Sequence, residues 1–258
     1  MRDSFTTGVR ADDQRTLAGQ AFTQLYRDLI ANRFKPGERL RFHKIREIYQ
    51  VGVAPLREAL SRLSGAGLVV QVGQKGFRVA PVSVKDLQDV VETRGLVEIR
   101  AVQDAVTSGD EEWEASLVAA FYRLSKVTRP APESAVERAV WEEHHTNFHQ
   151  ALVAGCANRR LLQVWSTIFA QAERYRRLAI EVGHWAPNEL ETHEDLLNAA
   201  LARDSDKIAG LLHQHIASSS EHLIAQVNSL VDASGNYREA VSQLGIADDE
   251  QPNGRAAI

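Results

Sequence analysis

The chain has 258 residues, of which 44% are hydrophobic and 25% are charged, the usual balance of a globular protein. This composition excludes wholesale disorder and collagen-like repetition, and the length predicts one or two domains. No apolar run approaches the roughly 18 residues of a spanning helix, and the first 15 residues carry charge where a signal peptide would be apolar. We therefore expect a cytoplasmic protein with no membrane partner. The single cysteine, Cys156, excludes an internal disulfide and a cysteine-based zinc site, so a metal would need His, Asp or Glu ligands.

The net charge of −4 hides an asymmetry along the chain. Residues 1–82 contain 14 Lys and Arg against 7 Asp and Glu, which leaves +7, whereas residues 83–258 contain the remaining 16 and 27, which leaves −11. A basic first module is typical of phosphate binding, as in nucleic acid, while an acidic remainder indicates a second task. A solvated basic face without a partner is the alternative.

The basic module predicts three helices and then a hairpin. Apolar residues at helical spacing indicate helices over 20–32, 42–49 and about 53–64, with inward positions at Phe22, Leu25, Leu29 and Ile30, then Phe42, Ile45 and Ile48 or Tyr49, then Leu56, Leu60 and Leu63. Two valine-rich runs around Gly73-Gln74-Lys75-Gly76 indicate a hairpin. This order is typical of a winged helix-turn-helix, which we assign to residues 15–82.

The acidic remainder predicts helices alone. Segments with a period of 3.6 residues, joined by short loops, lie at about 84–107, 111–127, 134–155, 158–182, 187–202 and 205–230. Helices joined in this way form antiparallel bundles. We therefore expect a mainly α fold in which a six-helix antiparallel bundle over 83–230 follows the winged helix-turn-helix, with a flexible tail over 231–258.

Four histidines of this bundle have a spacing that suits a metal. His145 and His149 are four residues apart, so both rings leave one face of a helix one turn apart. His193 and His215 lie on separate later helices, which a bundle can bring to the same centre. Neutral imidazoles suit zinc, nickel, cobalt or iron(II). The alternative for each is a hydrogen-bonded core or surface histidine, as we expect for His144, His184, His213 and His222.

Three segments of the basic module resemble the DNA-binding domain of GntR-type bacterial transcription regulators: FKPGERL (34–40), LREALSRLSGAGLV (56–69) and QKGFRV (74–79). The helical remainder resembles the ligand-binding FCD domain of the FadR-like branch of that family. Within the branch, VGVAPLREAL (51–60) and FHQALVAGCANRRLL (148–162) are most similar to repressors of carbon-starvation and glutarate-utilisation operons.

The resemblance implies that the third helix lies in the major groove of DNA. Many family members carry Ser-Arg-Thr before the proline of this helix, where this chain has Gly52-Val53-Ala54. Readout should therefore lean on Arg57 and on apolar contact with thymine methyl groups. The residues that we expect to contact DNA are Arg41, His43, Lys44, Val53, Ala54, Arg57, Arg62, Gln74 and Lys75.

The resemblance also implies a metal and an effector in the bundle. His145 stands where most members have Asp or Asn, ahead of the three histidines that they share with this chain. We expect one divalent metal per chain, zinc first, with nickel or another transition metal as alternatives. Arg94 matches an arginine that many members direct at an effector carboxylate, and Arg174 is a second candidate for that pocket. For Arg94 the alternative is an ion pair with Glu98, one helical turn away.

Together these expectations describe a homodimeric repressor of transcription that binds a palindromic operator and is released by a small carboxylate bound at the metal. Two alternatives remain: a His-ligated metalloenzyme, and a DNA-binding protein without an effector. Against the enzyme, the sequence has no HExxH pattern and no nucleophile motif. A catalytic site would also leave the basic module unexplained.

Overall fold

The computed structural model of the chain describes residues 15–73, 76–127, 134–181 and 189–231. These residues form nine helices and one three-stranded sheet, so the mainly α fold is confirmed. The N-terminal elements are α1 (Leu17–Ile30), β1 (Arg39–Leu40), α2 (Phe42–Tyr49), α3 (Val53–Gly65), β2 (Val69–Gln71) and β3 (Phe77–Val79). The remaining helices are α4 (Val84–Ser108), α5 (Glu111–Lys126), α6 (Ala135–Val153), α7 (Arg159–Glu181), α8 (Glu189–Leu201) and α9 (Ser205–Leu230).

The first helix begins three residues earlier than the sequence pattern predicts. The Thr16 side chain accepts a hydrogen bond from the backbone N–H of Gly19 at 3.0 Å, which satisfies one of the free N–H groups at the helix start. The sheet also contains a strand that the pattern did not predict. β1 pairs antiparallel with β3, and β3 pairs antiparallel with β2, so the predicted hairpin supplies two of the three strands.

The core of the winged helix-turn-helix forms where α1, α3 and the sheet meet. The predicted inward leucines of α1 and α3 are buried there. In α2, Ile45 is buried and Tyr49 packs against this core, while Ile48 is 59% exposed. The Tyr49 hydroxyl donates a hydrogen bond to Asp28 at 2.5 Å. This bond ties α2 to α1 and decides between the two inward positions that the sequence left open.

The six helices of the bundle lie within about three residues of their predicted ends. α4 packs against α7 and α9, while α5 packs against α6 and α8. Side chains of Ser83, Asp110, Ser134 and Asp204 cap α4, α5, α6 and α9 by accepting from a backbone N–H three residues on. None of the helices in the described residues is long and apolar enough to span a membrane.

One helix of the bundle is shared with the winged helix-turn-helix. Ala170 of α7 belongs to the apolar core of the N-terminal elements. Val82, at the predicted boundary, is buried with Tyr175 of α7 and Val227 of α9. The boundaries at residues 82 and 230 remain predictions, and residues 232–258 of the predicted tail lie outside the described residues, as do Gln74, Lys75 and His184.

Candidate metal centre and DNA-binding surface

Four histidine side chains from three helices meet inside the bundle. His145 and His149 come from α6, His193 from α8 and His215 from α9. All four are buried, between 0% and 5% exposed. One ring nitrogen of each lies within 4.8 Å of those of the other three. The fold thus brings His145 and His149 of one helix together with His193 and His215 of two others, as the sequence pattern predicts.

The spacing of these nitrogens fits a single metal ion. A Zn–N bond of about 2.1 Å places two nitrogens of a tetrahedral site roughly 3.4 Å apart. The Nε2 atoms of His149 and His193 are 3.3 Å apart. His145 Nδ1 is a buried nitrogen without a hydrogen-bond partner among the described residues, as expected of a nitrogen that would bind a metal ion. Four imidazoles without a carboxylate fit a divalent transition metal such as zinc or nickel better than magnesium or manganese.

Two of the histidines are oriented by hydrogen bonds behind the site. His149 Nδ1 donates to Glu98 Oε1 at 2.9 Å, which leaves its Nε2 directed at the centre. Glu98 is itself held by Arg94, whose Nε donates to Oε2 at 2.5 Å and whose Nη2 lies 3.3 Å from Oε1. Thr192 Oγ1 lies 3.3 Å from His215 Nδ1. Such outer partners fix the ring orientation and tautomer of metal-binding histidines.

Burial favours the neutral form of three of these imidazoles, the form that binds a metal. It lowers the pKa of His145 and His215 well below the usual value, and nearby positive charge acts in the same direction. Burial also lowers the pKa of His149, although the carboxylate of Glu98 opposes this. For Glu98 itself, burial alone would raise the pKa, but Arg94 and His149 lower it to about 2. The carboxylate behind His149 is therefore charged at neutral pH.

The two arginines predicted to bind an effector have different surroundings. The Arg94 guanidinium lies 5.0 Å from the centre of the Phe169 ring and uses Nε and Nη2 for Glu98, which leaves Nη1 for a ligand. Arg174 lies at the junction with the winged helix-turn-helix, where its Nη2 donates to the Ala80 carbonyl at 2.5 Å. Burial lowers the pKa of Arg174 to about 10. Both roles in effector binding remain predictions.

The other bundle histidines among the described residues lie outside this cluster. His144 is half-buried, His213 and His222 are exposed, and none of them belongs to the group of four. Sequence reasoning did not assign a role in the site to Thr192 or to Glu98 as the partner of His149. The available signals were the position of Glu98 four residues after Arg94 and of Thr192 next to His193.

The start of α3 forms the exposed ridge of the helix-turn-helix. Gln50 has the left-handed φ of +50° that turns the chain after α2, and Gly52 precedes the first turn of α3. Val53, Ala54 and Arg57 are exposed on that turn. Side chains on α2 and at its N-terminus are exposed on the same motif: Arg41, His43 and Lys44.

The two arginines of α3 differ in how they are held. The Arg57 guanidinium lies 5.5 Å from the centre of the Phe42 ring and its side chain is exposed. Arg62 is half-buried, with its guanidinium 4.0 Å from the centre of the Phe22 ring on α1. Arg57 is thus available to DNA, whereas Arg62 also stabilises the packing of α3 on α1. As a DNA contact, Arg62 remains a prediction.

Comparison with known proteins identifies the family of both the winged helix-turn-helix and the helical bundle. Residues 17–79 match the gntR family of bacterial regulatory proteins, and residues 89–218 match the FCD domain. The chain belongs to the GntR family and carries an FCD domain. It is therefore a bacterial transcription regulator and not an enzyme, as the sequence predicts.

Individual relatives of this GntR regulator agree with the assignment. It is 38% identical over 197 residues to the HTH-type transcriptional repressor GlaR of Escherichia coli K12, covering 74% of this chain and 89% of the relative. It is 36% identical over 206 residues to an uncharacterised HTH-type transcriptional regulator, BphR of Paraburkholderia xenovorans LB400, covering 80% and 84%. The solved structure of E. coli McbR/YncC shares the fold, with a TM-score of 0.69 and 22% identity over 82% of this chain and 98% of the other.

Proposed function

We propose that this chain is a homodimeric repressor that binds a roughly palindromic operator through residues 15–82. A small carboxylate bound at a metal in residues 83–230 releases it from DNA. The observation that carries this proposal is the group of four buried histidines inside the FCD domain. In the same chain, the first turn of α3, the helix expected to enter the major groove, is exposed. Since bacterial operator DNA lies in the cytoplasm, we infer that the protein acts there.

The exposed first turn of α3 supports direct readout of bases. Arg57 can make a two-pronged hydrogen bond to guanine, and the side chains of Val53 and Ala54 can contact thymine methyl groups. Arg41, His43 and Lys44 supply phosphate contacts beside them. One module makes too few such contacts for tight binding, so two related by a two-fold axis are needed, and the operator acquires the same symmetry.

The four histidines support the effector site. His149, His193 and His215 hold the metal, with His145 as the fourth ligand, and zinc is the first candidate because all four ligands are imidazoles. When bound, the ion would accept an oxygen ligand by expanding its coordination beyond the four imidazoles. A carboxylate fits that added position by charge, and Arg94 Nη1 can hold its second oxygen. The resemblance to glutarate-operon repressors makes glutarate the first dicarboxylate to test.

The DNA part of the proposal is tested by measuring binding to a duplex selected from a random library with the wild-type protein. Arg57→Ala should lower specific affinity by about 1–3 kcal/mol at matched salt. Arg123→Ala removes an exposed charge from α5 and is the control that should leave affinity unchanged. Wild-type affinity in Arg57→Ala would contradict the assignment of α3.

The effector part is tested by titrating glutarate and related acids into the same measurement with zinc-loaded protein. Release from DNA should require zinc and should weaken in Arg94→Lys, which keeps the charge but loses the fork geometry. If no carboxylate changes DNA affinity, the protein binds DNA without this effector class. Native mass spectrometry of the same sample reports the dimer and the metal content.

A further inference from the structure

A cluster of charged side chains lies beside the group of four histidines without belonging to it. It consists of the buried Glu142 on α6, the buried Glu173 and Arg176 on α7, and the half-buried Arg177 on α7. Arg176 donates to Glu173 through Nε at 2.8 Å and Nη2 at 2.8 Å, and to Glu142 through Nη1 at 2.9 Å and also through Nη2. Arg177 Nε lies 3.2 Å from Glu142. The cluster therefore ties α6 to α7 through paired charges.

Within this cluster, Glu173 lies next to the group of four histidines. Its Oε1 is 3.9 Å from Nδ1 of the ligand His145, and its Oε2 accepts a hydrogen bond from Thr146 at 2.8 Å. Its charge also reaches Tyr26, a buried residue of α1, whose pKa is raised first by burial and then by Glu173. The Glu173 carboxylate thus contacts α6 directly, and its charge acts on a buried side chain of α1.

The other face of α7 holds the DNA-binding domain. Gln171 Nε2 donates to the Ala66 carbonyl at 3.0 Å, just after α3. Arg174 donates to the Ala80 carbonyl, and the Arg174 carbonyl accepts from Asn32 Nδ2 at 3.2 Å, just after α1. Ala170 completes the apolar core of that domain. A shift or loosening of α7 therefore acts directly on the ends of α1 and α3.

We propose that α7 couples the metal centre to the DNA-binding domain and that Glu173 is the positioning residue for this coupling. The inference rests on the proposed function, because it requires a metal at the four histidines. A metal bound by the four histidines would restrict the conformational freedom of His145 and therefore of α6. Glu173, bound to Thr146 on α6 and to Arg176 on α7, passes that restraint to α7 and to the contacts with α1.

The test is amide hydrogen exchange of the full chain with and without zinc. In the wild type, zinc should slow exchange in α6 and α8 and also over residues 24–32 at the end of α1, by about 5-fold or more, the lower end of coupling between sites. In Glu173→Gln, zinc should still protect α6 and α8, while the effect on residues 24–32 falls below about 2-fold. Loss of a merely structural contact would change exchange equally with and without zinc.

Two further variants make the result decisive. Glu143→Gln makes the same chemical change at an exposed position of α6, outside this cluster, and should keep the response of residues 24–32. Thr146→Val removes the hydrogen bond to Glu173 without touching its charge and should weaken the response, which keeps the test available if Glu173→Gln does not fold.

Three results would count against the coupling, and they differ in what else they exclude. An unchanged response of residues 24–32 in Glu173→Gln or Thr146→Val would overturn it. Protection of α6 and α8 without any response in wild-type α1 would also overturn it and leave the metal site standing. Absence of zinc protection everywhere would remove the proposed function and this inference together.

Discussion

Zinc should raise the thermal stability of the metal-free protein. The four histidines come from α6, α8 and α9 and meet only in the folded chain. Zinc therefore binds the folded chain but not the unfolded chain, which stabilises the fold by mass action. At free zinc of about one hundred times the dissociation constant, the free energy of unfolding increases by about 2.7 kcal/mol. For a domain of this size each kcal/mol moves the melting temperature by about 2–4 °C, so we expect a rise of roughly 5–11 °C.

Circular dichroism melts of protein stripped with EDTA and then titrated with zinc measure this rise. His215→Ala should lose most of it at the same zinc concentration. His213→Ala is the matched control, because His213 is exposed two residues earlier on the same helix and should leave the rise unchanged. A full zinc shift in His215→Ala would refute the assignment of the site, and so would the absence of any shift in the wild type.

Three further predictions concern stability. Arg94→Ala should destabilise the metal-free protein by about 3–5 kcal/mol in urea unfolding, because it leaves the buried Glu98 carboxylate without its cation. Adding Glu98→Gln to this variant should recover part of the lost stability. An unchanged free energy of unfolding in Arg94→Ala would contradict the prediction. The free energy of unfolding of the metal-free protein should fall as pH drops below about 6.5. Below this pH the histidines of the unfolded chain take up protons, while burial keeps His145 and His215 of the folded chain neutral. A free energy of unfolding that stays constant from about pH 7.5 to 5.5 in urea titrations would contradict this prediction. Gly67→Ala should cost about 1–2 kcal/mol because its φ is +73° and the new Cβ would lie 2.4 Å from Gln171 Nε2; Gly65→Ala, with open space at its Cβ, is the control in the same unfolding assay.

The sequence predicts the helices well because their apolar residues recur at helical spacing and their ends carry recognisable caps and breaks. Two features of the fold escape this reasoning. β1 is two residues long, too short for an alternating pattern, and exists only because β3 offers it an edge. The position of Ala170 in the core of the DNA-binding domain depends on how segments distant in sequence pack together, and the periodicity along one helix does not reveal this packing.

The histidines of the candidate metal centre were more predictable from the sequence than the residues that support them. The four clustered histidines follow from a four-residue spacing on one helix and from the family resemblance. Their supporting residues do not, because an Arg and a Glu one turn apart are common on exposed helices, and only tertiary packing buries Arg94 and Glu98 against His149. The orientation of Arg174 toward Ala80 has the same cause, since α7 carries contacts on two faces.

The shared helix α7 has a consequence for engineered chimaeras. Regulators are commonly rewired by joining the DNA-reading half of one protein to the sensing half of another at a point between them. Here a cut at residue 82 would separate Ala66 and Ala80 from the side chains of Gln171 and Arg174 that hold them. A graft that exchanges the first 82 residues should therefore also exchange the residues at positions 170, 171 and 174, so that the incoming module meets its own supporting surface.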